Sequence, residues 1–181
     1  MNKVLVLGSN SFAGSCLVDY LLSKNVIVYG ISRSNERKIA KYKYNKNIKN
    51  FKFIKADINK NLNLFKTIIN KNKFKFIIDF LGQGMVAESW ENPQDWIKTN
   101  ITSKVELINF LLNKKFLKKY LRISTPEVYG SSSVKMKENK SYNPSTPYAV
   151  THMTIDRYLQ IYYEQFNFPS VILRFANFYG E

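Results

Sequence analysis

Short apolar runs recur along this chain, each closed by a small or polar residue, and stretches with helical spacing lie between them. The runs at 3–7, 26–31, 51–55, 76–80, 121–124 and 171–175 are rich in Val, Ile, Leu and Phe on successive positions. That pattern predicts strands buried on both faces, as in a parallel sheet. Helices are predicted over 12–24 and 62–70, and over 93–112, where Trp96, Ile97, Ile101, Val105, Ile108, Leu111 and Leu112 share one broad face. A long helix is predicted over 147–166, with Pro147 in its first turn. Strands alternating with such helices predict an α/β fold, because each crossover must return to the same edge direction. No internal repeat or linker divides the chain, so residues 1–181 are expected to form one domain.

Composition refines this picture. Hydrophobic residues make up 45% of the chain and aromatics 15%, enough for a packed core. No apolar run is long enough to span a bilayer, and no cleavage-site pattern follows Met1-Asn2-Lys3, so a cytoplasmic protein without a membrane partner is expected. The lone Cys16 cannot form an internal disulfide and is expected to be a small buried hydrophobe in the first helix. The net charge of +15 comes mostly from Lys dispersed among Asn, Ile, Phe and Tyr. Its densest stretch, with Arg37, Lys38, Lys41, Lys43, Lys46 and Lys49 against Glu36, predicts a solvated basic face and not a nucleic-acid site.

Candidate chemistry begins at Gly8-Ser9-Asn10-Ser11-Phe12-Ala13-Gly14, between the first strand and the first helix. Gly8 permits a tight turn, a small residue lets the backbone approach a pyrophosphate, and Gly14 allows close helix packing, with Ser11 where glycine is commoner. The helix N-terminus would then face the phosphates of a dinucleotide. A Rossmann-type doubly wound sheet with helices on both faces follows from this placement. The second strand runs into Ser32-Arg33-Ser34. An acidic residue there would suit a ribose, whereas Arg33 between serines suits a 2′-phosphate, so NADP is favoured over NAD. Asp57 and Ile58, just past the third strand, are placed to meet an adenine, Asp57 by accepting from its amino group.

The most specific stretch is Ser124-Thr125-Pro126-Glu127-Val128-Tyr129-Gly130, followed by Pro144-Ser145-Thr146-Pro147-Tyr148-Ala149-Val150-Thr151-His152. With Gln83, Val86, Ser89, Pro93, Thr99-Asn100 and the segment 174–180, it resembles the extended short-chain dehydrogenase/reductases, and within them the nucleotide-sugar 4,6-dehydratases of dTDP-glucose and GDP-mannose type. The resemblance implies a nucleotide-sugar substrate, no metal, and a homodimer as one arrangement open to the family. It implies that Tyr148 and Thr125 act on a sugar C4 hydroxyl, and that Glu127 removes the C5 proton so that water leaves from C6. It places Phe12, Leu81, Gly82, Tyr148 and His152 among the cofactor-binding residues, beside Gly8, Asn10, Ser11 and Gly14, and it places Ser89 and Asn177 against substrate.

Three departures from the family pattern stand out. Pro126 occupies the position where the dTDP-glucose enzymes carry an acidic proton donor, and His152 the position of the family lysine. The chain stops at Glu181, directly after the sixth strand, where family members continue into a substrate-binding part; that part is expected to be missing. A C4 epimerase, a decarboxylase or a non-catalytic dinucleotide-binding protein would share most of these features.

Overall fold

The computed structural model describes residues 3–133, 135–138 and 141–180. Met1, Asn2 and Glu181, on which the expectations about the chain ends fell, lie outside them. Six strands pair in parallel: β1 (Lys3–Leu7), β2 (Ile27–Ser32), β3 (Phe51–Lys55), β4 (Phe76–Asp79), β5 (Lys119–Ser124) and β6 (Ser170–Arg174). Their order, β3-β2-β1-β4-β5-β6, is that of the expected Rossmann-type doubly wound sheet. The crossovers carry α1 (Phe12–Ser23), α2 (Leu62–Asn72), α3 (Glu88–Glu91), α4 (Pro93–Trp96), α5 (Ser103–Leu112) and α6 (Pro147–Phe166).

Alternation along β1 divides the core between the two sheet faces. Val4 and Val6 pack with Val18 and Leu22 of α1, while Leu5 and Leu7 pack with Phe65 of α2, Leu107 of α5 and Ile155 of α6. Helices therefore cover both faces. The chain leaves β1 toward β2 on one side and continues from β4 toward β6 on the other, so the carboxyl ends of β1 and β4 part at the switch point. No helix among the described residues is long and apolar enough to cross a membrane.

Two sequence expectations fail in helix phase. Cys16 is exposed, because α1 buries Gly14, Ser15, Val18 and Leu22 and so turns Cys16 and Tyr20 outward. Ile97 is 49% exposed and does not share the inner face, because the stretch Ile97–Thr102 between α4 and α5 is a π turn. The wider turn shifts the apolar stripe and brings the polar residues Thr99, Asn100, Ser103 and Lys104 inside instead.

Candidate active site

Gly8 sits at φ +76°, and a Cβ on it would lie 2.8 Å from the Phe80 carbonyl carbon at the end of β4. A Cβ on Gly14 would lie 2.4 Å from the Gly8 carbonyl oxygen. The turn is thus closed by contacts that only glycines permit. Ser11 is the N-cap of α1, its hydroxyl accepting from the Gly14 N–H at 3.0 Å, which accounts for a serine in a glycine-rich turn. The first turn of α1 holds no acidic side chain, so the helix end remains a positive pole. Asn10 ties this turn to β2: its backbone N–H donates to the Ser32 hydroxyl at 2.9 Å and its side-chain amide to the Ser34 hydroxyl at 2.8 Å. Its Oδ1 is buried without a donor.

These groups line a cavity of about 300 Å³. Gly8, Asn10 and Ser11 lie on one wall, Arg33 and Ser34 beyond β2, Asp57 and Ile58 beyond β3, and Leu81 and Gly82 beyond β4. Asp57 Oδ1 accepts from the Asn59 N–H at 2.8 Å, which fixes the loop after β3. Asp79 does the same after β4, accepting from the Leu81 N–H at 2.9 Å. Asn100, in the π turn, accepts from the Gln83 N–H at 2.8 Å and donates to the Gln83 carbonyl and to Thr151 of α6, both at 3.1 Å.

A second cavity, of about 530 Å³, shares Ser11, Phe80, Leu81 and Gly82 with the first, so the two form one groove across the sheet's carboxyl ends. Phe12, Thr125, Glu127, Tyr148, His152 and Asn177 line it. Thr125 caps the 3₁₀ turn Pro126–Tyr129 by accepting from the Glu127 N–H at 3.2 Å. Burial raises Tyr148 above its ordinary value of 10; the Thr125 hydroxyl opposes that shift, Glu127 adds to it and Arg122 opposes it. The Tyr148 and His152 rings lie 4.4 Å apart, one helical turn from each other on α6.

Beneath this half of the groove lies a set of buried charges. Lys104 of α5 and the Tyr120 hydroxyl of β5 both donate to Asp79 Oδ2, with all three groups inaccessible to solvent. Burial alone would raise the Asp79 carboxyl, but Lys104 and Arg122 bring it below its usual range. Burial lowers Lys104 to about 7 despite the pull of Asp79. On α6, Asp156 Oδ2 accepts from Ser124 at 2.8 Å and from Arg174 Nε at 3.1 Å. Burial holds that carboxyl above its usual range, against Arg122 and Arg174.

Ser89 is the one proposed substrate contact that the structure places elsewhere. It is fully buried outside both cavities, donating to the Val86 carbonyl at 2.6 Å and accepting from the Tyr148 N–H at 3.2 Å. It thereby steadies the first turn of α6. Gly14 also stays off the cavity walls and packs against the Gly8 carbonyl beneath them. Sequence reasoning overlooked Arg122, Asp79 and Lys104. The available signal was a charge inside a run that must be buried on both faces, as at Arg122 between Leu121 and Ile123.

The family model described as GDP-mannose 4,6 dehydratase matches residues 5–181. A probable dTDP-glucose 4,6-dehydratase of Sinorhizobium fredii is 28% identical to 98% of the chain, which covers 54% of that protein. The human dTDP-D-glucose 4,6-dehydratase is also 28% identical over 98% of the chain, which covers 51% of it. Among solved structures, a UDP-glucuronic acid 4-epimerase from Bacillus cereus, in complex with UDP-glucuronic acid and NAD, superposes with a TM-score of 0.78 at 29% identity over 95% of this chain and 55% of its own. The UDP-Glc/GlcNAc 4-epimerase of Campylobacter jejuni superposes at 0.84 with 24% identity, over 96% of this chain and 53% of that one, a likeness of fold. The chain spans about half the length of the curated relatives it matches.

Proposed function

The chain belongs to the GDP-mannose 4,6 dehydratase family, and from that premise we propose that residues 1–181 are the dinucleotide-binding domain of an enzyme that removes water from a nucleotide sugar. The observation that carries this reading is the continuous groove, in which Thr125, Glu127 and Tyr148 share walls with the glycine turn. The donor set fits a dinucleotide: a helix end free of acidic side chains and backbone packed too tightly for any Cβ suit a pyrophosphate. Ser11, Phe12, Leu81 and Gly82 would flank its middle, and Asp57 and Ile58 its adenine. Arg33 and Ser34 suit a 2′-phosphate, which makes NADP the preferred form and NAD the alternative. Bound there, a nicotinamide dinucleotide would supply acceptance and return of a hydride.

The chain's own residues move the protons. Tyr148, as phenolate, takes the proton of the sugar C4 hydroxyl while the Thr125 hydroxyl holds that oxygen in place. The Glu127 carboxylate takes the proton from C5, acidified by the neighbouring ketone, and passes it to the departing C6 hydroxyl, which leaves as water. Because Tyr148 titrates above its ordinary value, its basic form grows as pH rises, and oxidation is expected to climb toward alkaline pH.

In any form of the protein that converts a nucleotide sugar, Glu127→Gln is expected to lower elimination by about 10²–10⁴-fold, the usual contribution of a general base, with reduced cofactor still formed. Undiminished formation of the 4-keto-6-deoxy sugar by that variant would remove Glu127 from the chemistry. A C4 epimer as the product of the unmodified protein would move it to the epimerase branch, to which the Bacillus cereus enzyme belongs.

A further inference from the structure

Arg122 is 1% exposed and stands in the middle of the buried charges. One terminal nitrogen donates to the Ile123 carbonyl at 2.6 Å, the other lies 3.0 Å from His152 Nδ1, and Nε has no acceptor. A guanidinium carries donors only and keeps its proton in proteins. The contact therefore requires a lone pair on His152 Nδ1, which leaves the ring proton on Nε2. Lys104 is ion-paired with Asp79, and Asp156 with Arg174. Among the described residues Arg122 makes no direct ion pair with a carboxylate, although Asp79 and Asp156 both feel its charge.

On the reading of Tyr148 as the base, we propose that Arg122 and His152 act as one unit, the guanidinium fixing His152 as the neutral Nε2–H imidazole and lending the positive charge that favours the Tyr148 phenolate. Arg122 is a positioning residue, since it acts on the groove through His152 and through its field. The titratable groups that feel the pair's charge or touch it are Lys104 of α5, Asp79 of β4, Tyr120 of β5, and Tyr148 and Asp156 of α6. Burial, then the charges of Arg122 and Lys104, hold His152 well below its ordinary value. A histidine depressed in this way contributes stability above about pH 6.5, where it is neutral folded or unfolded, and loses that contribution as pH falls and the unfolded chain takes up the proton.

His152 is the chain's single histidine, so its signals need no assignment. The complete chain labelled with ¹⁵N-histidine is expected to show the neutral Nε2–H tautomer by NMR from about pH 8 to about pH 5. A native-state midpoint near 6.5, or an Nδ1–H tautomer, would overturn the proposal. Arg122→Gln is expected to raise the His152 midpoint by about one pH unit or more and to mix the tautomers. With tyrosine carbons labelled and Tyr148→Phe used to identify the resonance, the same variant should move the Tyr148 titration to higher pH; no movement of either group would sink the idea. If Arg122→Gln does not fold, Arg122→Lys, which keeps a charge and carries donors only, is expected to keep the Nε2–H tautomer; an Nδ1–H tautomer there would count against the proposal. None of these readouts requires turnover. A chain with the expected shifts that binds no nicotinamide dinucleotide would refute the functional reading and leave the pair standing, and the converse result would do the opposite.

Discussion

At the β1–β2 end of the groove, position is set by backbone. Gly8 and Gly14 touch neighbouring main chain, Ser11 closes the helix end, and Asn10 spans to Ser32 and Ser34 with short polar bonds. At the β4–β6 end, position is set by charged side chains beneath the site: Asp79, Lys104, Arg122 and Asp156, sealed from solvent, and Arg174, partly so. A pyrophosphate needs many N–H groups at close range and little else, and a folded turn provides them. A base whose protonation must change needs a controlled field, and a field requires charges kept out of water. The first end should therefore fail through shape, the second through uncompensated charge.

The sharpest way to break that contrast is Lys104→Met. Asp79 would keep its hydrogen bonds to Tyr120 and Leu81 but lose its ion pair, and removing one partner of a buried pair costs about 3–5 kcal/mol. Denaturant unfolding measures this; a loss below about 1 kcal/mol would mean that the charged end is held by apolar packing after all. Gly14→Ala tests the other end. The added methyl would meet a main-chain oxygen at 2.4 Å, which cannot rotate away, and a loss of about 3 kcal/mol in stability together with weakened dinucleotide binding is expected. Full calorimetric affinity in that variant would show that the turn is not a fixed template. Arg33→Ala gives the smallest effect, because this side chain is exposed and makes no contact that shapes the turn. NADP binding should weaken by about 1–2 kcal/mol, with NAD unchanged and unfolding unaffected. Equal losses for both cofactors would separate Arg33 from the 2′-phosphate.

The backbone-built end was the more legible in sequence. Glycines at fixed intervals after an apolar run can mean few things, and the turn, Arg33, Asp57 and Ile58 fall on the same cavity. The heptapeptide from Ser124 to Gly130 was equally plain, and with Tyr148 it marks one wall of the second cavity. What lies beneath could not be read in the same way. Asp79, Lys104, Arg122 and Asp156 come from different strands and helices, and nothing in their local spacing says that they meet. Cys16 was misplaced because residue type was used where helix phase decides. The π turn escaped because a backbone hydrogen-bond shift leaves no mark in an apolar pattern. Ser89 was taken for a substrate contact although its hydroxyl is committed to the start of α6.

Asn100 spans the interval between these two ends. From inside the π turn its one amide grips both the N–H and the carbonyl of Gln83 and also Thr151 on α6. Three segments far apart in sequence are thereby indexed to a single buried side chain, which gives the groove floor a fixed datum. The exposed tip bearing Arg33, the Glu127 carboxylate and the strip from Phe175 to Phe178 make no hydrogen bond to that datum and stand exposed around it.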